Sequence, residues 1–207
     1  MNYQKKKIII ENSNLINICN KYNIKVIFFS SSSIYGSSKI LSTENNPPKP
    51  FDSYTLNKIK LENLYKKKSN DYKILRLSNV YDDKLSKSGI FKNIKEHLLF
   101  NKKISFNNLK VIRNYIHSKD VANQIKQIII KYDRINHKII NISNENLSIL
   151  SILKLFEKKY KKKIKYKINK QKKYDPSIKV GNGLARKILK YKNRFSLANT
   201  IIYSKRS

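Results

Sequence analysis

Apolar positions recur along this chain in two alternating periods, and the order of those periods predicts the layout. From about Glu11 to Tyr22, Leu15, Ile16, Ile18 and Cys19 fall at helical spacing, and Asn23 offers a stop. Lys25 to Ser30 then carries a continuous apolar run, Val26-Ile27-Phe28-Phe29, as expected of a parallel strand buried on both faces. Pro47, Pro48 and Pro50 exclude helix from the loop that follows. Asp52 or Ser53 is placed to cap a helix reaching about Lys67, and Tyr72 to Ser78 forms the next strand, ending at Asn79. A helix followed by a strand, twice in succession, predicts an α/β fold.

Beyond Tyr81 the elements shorten. Helices are predicted from about Ile90 to Phe100, Asp120 to Tyr132 and Ile149 to Tyr160, the last with Ile152, Leu155 and Phe156 on one face. Lys103 to Phe106 is a short segment, Lys138 to Ile142 is strand-like, and Lys163 to Ile168 alternates as a strand does. Leu184 to Leu189 and Leu197 to Ile202 read as two short helices, with Gly181-Asn182-Gly183 as a turn before the first.

At 207 residues the chain is long enough to bury a core. The formal charge of +33 invites a nucleic-acid reading, yet 40 of the 46 basic residues are Lys and only 6 are Arg, the residue suited to bidentate reading of bases and phosphates. Lys, Asn and Ile make up 98 of the 207 residues. All three have AT-rich codons, so nucleotide bias accounts for the charge on any fold. The runs Lys66-Lys67-Lys68 and Lys158 to Lys163 fit solvated helix ends, where the dipole favours cations. Few aromatics accompany them and no recognised binding motif is present, which argues against nucleic acid as a partner. A single cysteine, Cys19, excludes an internal disulfide framework, and His97, His117 and His137 lack metal-ligand spacing. No apolar stretch approaches the ~20 residues of a membrane helix, and the start of the chain lacks the long apolar region of a signal peptide. A soluble, cytoplasmic protein is expected.

The candidate chemistry lies at Tyr54 and Lys58, four apart on a predicted helix and therefore on one face of it. A phenol is a poor base at neutral pH, and a nearby ammonium favours the phenolate. Such a pair is suited to taking a proton from a hydroxyl. Alone the spacing is weak, since a chain with 14 Tyr and 40 Lys produces it by chance, as at Tyr3 and Lys7. Position adds weight: ligands of open α/β sheets sit beyond the carboxyl ends of strands, and Ser31 follows the Lys25 to Ser30 strand directly. A hydroxyl there both donates and accepts.

Ser30-Ser31-Ser32-Ser33-Ile34-Tyr35-Gly36 at a strand end, followed by Tyr54-Thr55-Leu56-Asn57-Lys58, resembles the catalytic half of an extended short-chain dehydrogenase/reductase of the NAD-dependent epimerase/dehydratase family, UDP-glucose 4-epimerase-like in type. Leu75-Arg76-Leu77-Ser78-Asn79-Val80-Tyr81, Arg113-Asn114-Tyr115-Ile116-His117-Ser118-Lys119-Asp120 and Ile140-Asn141-Ile142-Ser143-Asn144 are similar to later segments of the same family, in the same order. The resemblance implies a partial Rossmann-like parallel sheet with a smaller C-terminal α/β substrate-binding lobe. Residues 1–81 would be the C-terminal part of the NAD-binding domain and 82–207 mainly the lobe, with 120–143 returning to the sheet. It implies Ser31, Tyr54 and Lys58 as catalytic residues, and Ser30, Tyr54 and Lys58 as contacts to NAD. Ser31, Ser32, Asn79, Arg113 and Asp175 would contact a nucleotide-sugar, Asp120 would open a helix, and homodimerisation would run through the Tyr54 helix and its neighbour.

Three departures qualify it. The acidic pair that sugar dehydratases use to eliminate water is missing after Ser31, where Ser32 and Ser33 stand. Asp82 replaces a frequent glycine. The glycine-rich turn between a strand and a helix that cradles dinucleotide phosphates is absent, for the only glycines are Gly36, Gly89, Gly181 and Gly183. The expectation is therefore an epimerase-type enzyme lacking its N-terminal dinucleotide-binding part. The alternative is a non-catalytic remnant, or one subunit of a split epimerase that binds nucleotide-sugar and is completed by an N-terminal fragment.

Overall fold

The computed structural model describes residues 3–85, 89–169 and 175–203. Helix α1 (Tyr3–Lys21) begins earlier than its spacing predicted. It packs on α2 (Ser53–Lys68), and both lie against β1 (Val26–Ser31). The contact is apolar: Ile16, Cys19, Val26 and Tyr65 are buried together, and the Phe28 and Tyr65 rings stack at 4.6 Å. β1 pairs in parallel with β2 (Tyr72–Leu77), which pairs in parallel with β6 (Ile139–Ile142). Phe28 lies opposite Ile74, and Leu75 opposite Ile140. On the other face α4 (Ser118–Ile130) and α6 (Gly183–Leu189) bury Val121, Ile128, Ala185 and Leu189 against Leu75, Ile140 and Ile142. A parallel sheet covered on both faces explains the near-continuous apolar runs of its strands.

The second sheet escaped the sequence reading. Its strands are β3 (Asn79–Tyr81), β5 (Ile112–His117) and β7 (Glu145–Ser148), in the order β3-β5-β7. β5 and β7 are too polar to show strand periodicity, and their pairing is reinforced by amide side chains. Asn114 Nδ2 donates to the side-chain Oδ1 of Asn146 at 2.8 Å and to the Val180 backbone carbonyl at 3.1 Å. The lobe beyond packs α3 (Gly89–Phe100), α5 (Ile149–Tyr160) and α7 (Leu197–Tyr203) around Phe91, Ile94, Tyr115, Phe156 and Leu197. β4 (Ser105–Phe106) and β8 (Lys167–Ile168) form a small parallel pair.

Caps follow the side chains. Asp52 and Thr55 form a reciprocal capping box at the start of α2, and Ser148 caps α5. His117 caps α4, its Nδ1 accepting from the Lys119 N–H at 3.1 Å. Asp120 lies in the first turn of that helix and is fully buried. It is occupied elsewhere: Oδ1 accepts from the Tyr191 hydroxyl at 2.7 Å and the Arg194 N–H at 3.0 Å, and Oδ2 from the Phe195 N–H at 3.1 Å. It thereby ties the C-terminal segment to α4.

A short 3-10 turn, Ser32–Tyr35, follows β1 and ends at Gly36, whose backbone sits at φ 62° and ψ −153°. That region is open essentially to glycine alone. A Cβ at this position would lie 2.4 Å from the Lys49 carbonyl oxygen. Gly36→Ala is therefore expected to lower stability by about 1–3 kcal/mol for the backbone strain, before the close contact is counted. Urea unfolding of the variant checks this, and an unchanged midpoint would refute it.

Candidate active site

Beyond the carboxyl ends of β1 and β2 opens a cavity of about 520 Å³, lined by Ser30 to Ser33, Tyr54, Lys58, Asn79 and Arg113 among others. This volume is within the range of small-molecule sites. Seven of the eight sequence-predicted site residues therefore meet there, from four separate stretches of chain; Asp175 reaches it only through Arg113.

Each side chain is placed by local structure. Ser31 ends β1, and its Oγ accepts from the Ser33 N–H at 3.2 Å and lies 2.7 Å from the Ser33 Oγ. Ser32 is buried, 3.4 Å from the Ser78 hydroxyl. Ser30 turns its hydroxyl inward and donates to Glu62 at 2.6 Å. Tyr54 stands in the first turn of α2, 53% exposed, with its ring open to the cavity. Lys58, one turn on, donates from Nζ to the Phe29 carbonyl at 2.8 Å and sits 5.9 Å from the Tyr54 ring centroid. Burial pulls the Lys58 ammonium below its ordinary value, and the negative charge of Glu62 opposes that shift.

Across the cavity Asn79 donates to the Asn114 carbonyl at 2.9 Å. Arg113 reaches back to the Ile112 and Pro176 carbonyls and forms an ion pair with Asp175. The Asp175 carboxylate thus faces the guanidinium, and the pair is part-buried. Any anion reaching Arg113 competes with Asp175 for the same fork.

Two charged residues beneath the site, Glu62 and Arg76, were not singled out as functional from the sequence. Arg76 Nε and Nη2 bind the two Glu62 oxygens at 3.0 and 2.8 Å, and both residues are 1% exposed. Arg76 Nη1 donates to the Tyr35 hydroxyl at 2.8 Å, and that hydroxyl donates to Asn141 Oδ1 at 2.7 Å. Burial pushes the Tyr35 phenol up, with Arg76 opposing, so Tyr35 is a fixed structural donor. The available signal was an arginine in the middle of an apolar strand, which needs a buried partner.

A phenol, an ammonium and a hydroxyl converge on one wall, and a guanidinium stands on another. This set is suited to removing a proton from a hydroxyl on a ligand whose far end is anionic. Among the described residues no group of His, Cys, Asp and Glu side chains could hold a metal ion, and no helix is long and apolar enough to cross a membrane. The Lys58 ammonium and the Tyr54 and Ser31 hydroxyls that line the cavity are donors of the kind a hydroxyl-rich ribose requires. Among the described residues no glycine turn between a strand and a helix is placed to take the pyrophosphate of a dinucleotide.

The sequence profile of the NAD dependent epimerase/dehydratase family matches residues 2–143. Among curated proteins, none matches the chain by sequence. A UDP-glucuronic acid 4-epimerase from Bacillus cereus, solved with UDP-glucuronic acid and NAD, superposes with a TM-score of 0.82 at 22% identity over 95% of this chain and 65% of its own. A dTDP-glucose 4,6-dehydratase from Bacillus anthracis, solved with NAD, gives 0.80 at 18% over 93% and 64%. An L-threonine 3-dehydrogenase from Trypanosoma brucei gives 0.79 at 17% over 94% and 66%. These likenesses establish a Rossmann-type α/β fold, and this chain spans just under two thirds of each neighbour's length.

Proposed function

This chain belongs to the NAD dependent epimerase/dehydratase family, and from that premise we propose that it is an NAD-dependent, epimerase-type enzyme acting on a UDP-sugar or a similar nucleotide-sugar. The observation that carries the reading is the convergence of Ser31, Tyr54 and Lys58 in one cavity facing Arg113. Tyr54 takes the proton from a sugar hydroxyl through its phenol oxygen. Tyr54 acts as the phenolate, whose negative charge the Lys58 ammonium holds until the proton arrives, and Ser31 orients the reacting oxygen by donating to it. NAD held beside Tyr54 and Lys58 would supply the hydride-acceptor chemistry that this proton transfer accompanies. Asn79 and Arg113 hold the nucleotide diphosphate, the guanidinium exchanging Asp175 for phosphate oxygens. Ser32 and Ser33 stand where dehydration would need carboxyl groups, which favours epimerisation.

The test is incubation of the chain with NAD and a UDP-sugar, followed by proton NMR of the sugar ring. Appearance of the epimer is expected. Absence of both turnover and nucleotide-sugar binding would overturn the proposal.

A second reading, that the chain binds nucleotide-sugar and turns it over only once another polypeptide segment completes the sheet, is favoured by β1. It is an edge strand among the described residues, paired only with β2, and Phe29 on it is 44% exposed. The opposite edge is blunted, since the Asn141 N–H on β6 donates to Glu44 at 2.8 Å. Nucleotide-sugar binding without NAD binding would favour this reading over the first.

A further inference from the structure

Lys58 and Glu62 lie one helical turn apart on α2 and grip consecutive residues of β1, Lys58 the Phe29 carbonyl at 2.8 Å and Glu62 the Ser30 hydroxyl at 2.6 Å. Two grips one turn apart fix both the rotation of the helix and its position along the strand. Glu62 is itself immobilised. Arg76 holds it bidentately from β2, and the chain of hydrogen bonds continues through the Tyr35 hydroxyl to Asn141 on β6. A single polar network therefore runs from α2 across all three strands of the first sheet, directly below the cavity. Tyr54, Lys58 and Glu62 recur every fourth residue, so the buried carboxylate ends a row whose other members line the site.

We propose that Glu62 is a positioning residue, clamped by Arg76 and Ser30 so that it fixes the turn of α2 bearing Tyr54 and Lys58 against the end of β1 and keeps a negative charge beneath the Lys58 ammonium. The charges facing Glu62 are Arg76 on β2 and, on its own helix, Lys66 at 3.6 Å and Lys58. Lys58 meets the Phe29 carbonyl and the Phe28 and Tyr54 rings, and the Glu62 charge acts on it from one helical turn away. Arg76 saturates the carboxylate geometrically. Glu62 nonetheless offsets the cost of burying Lys58, so the carboxylate that fixes this turn of α2 also sustains the charge of the ammonium.

The test follows the Lys58 ε-carbon by NMR in protein labelled with ¹³C-lysine, the resonance being assigned by its loss in Lys58→Arg. In Glu62→Gln the Lys58 amine is expected to titrate at lower pH than in the wild type, because the anion favouring its charged form is gone. Should that variant fail to fold with Arg76 left unpaired, Glu62→Gln/Arg76→Gln removes both charges and is expected to show a smaller shift in the same direction, since the Arg76 cation that opposes the Lys58 charge is lost as well. An unchanged Lys58 titration in a folded variant would overturn the proposal and leave Glu62 as a purely structural partner of Arg76. For turnover the inference rests on the enzymatic reading above: kcat should fall with KM for the nucleotide-sugar unchanged. A wild-type chain with neither turnover nor nucleotide-sugar binding would sink that reading, while the Lys58 titration would still decide this one.

Discussion

Replacing Tyr54 by phenylalanine should lower turnover by about a hundred- to ten-thousand-fold, the usual contribution of a positioned acid–base group, and leave nucleotide-sugar affinity unchanged. The substitution removes one oxygen. Tyr54 is half-exposed at the start of α2, so little packing depends on its hydroxyl. The phenylalanine ring still lies beside Lys58, which keeps its own bond to the Phe29 carbonyl. Helix α2 keeps its Asp52–Thr55 capping box. Steady-state kinetics with a parallel binding titration check this. Turnover equal to wild type would remove Tyr54 from the chemistry, and lost binding would assign it to substrate recognition instead.

Arg76→Ala should be the most destabilising single substitution among the site's supporting residues, costing about 3–5 kcal/mol. Arg76 is among the largest fully buried side chains described, so truncation removes a large volume. More costly, it leaves the Glu62 carboxylate at 1% exposure without its bidentate partner, while the Tyr35 hydroxyl keeps only Asn141. The exposed pair between Lys25 and Asp133 provides the contrast. Its side chains are 48% and 74% exposed, and deleting it should cost about 0.2–1 kcal/mol. Urea unfolding of the two variants side by side measures the difference. Similar losses for both would mean that the Glu62–Arg76 pair is not held as tightly as its geometry states.

The first sheet was legible in the sequence because it is buried on both faces. Val26-Ile27-Phe28-Phe29 and the isoleucines Ile139, Ile140 and Ile142 form the apolar runs such a sheet requires, and they announced themselves. The second sheet was not, since Asn114 and Asn146 satisfy each other while Arg113 and Glu145 find partners at Asp175 and Leu197, which leaves no alternation to read. Glu145 illustrates this: burial pushes its carboxyl up, and it accepts from the Leu197 N–H at 2.7 Å, a partner 52 residues away. The cavity residues Ser31, Tyr54, Lys58, Asn79 and Arg113 were legible as a set through motif order. Their supports were harder to see. The Ser30 hydroxyl serves Glu62 and the Asp175 carboxylate serves Arg113, and neither pairing is visible without the fold.

The central claim is that the cavity between Tyr54 and Arg113 holds a nucleotide-sugar. Calorimetric titration of a UDP-sugar into the chain and into Arg113→Ala tests it most directly. The account predicts saturable binding to the wild type, weakened about ten- to a hundredfold in the variant as charge-assisted hydrogen bonds to the diphosphate are lost. No saturable binding to the wild type, or equal affinity in the variant, would contradict it.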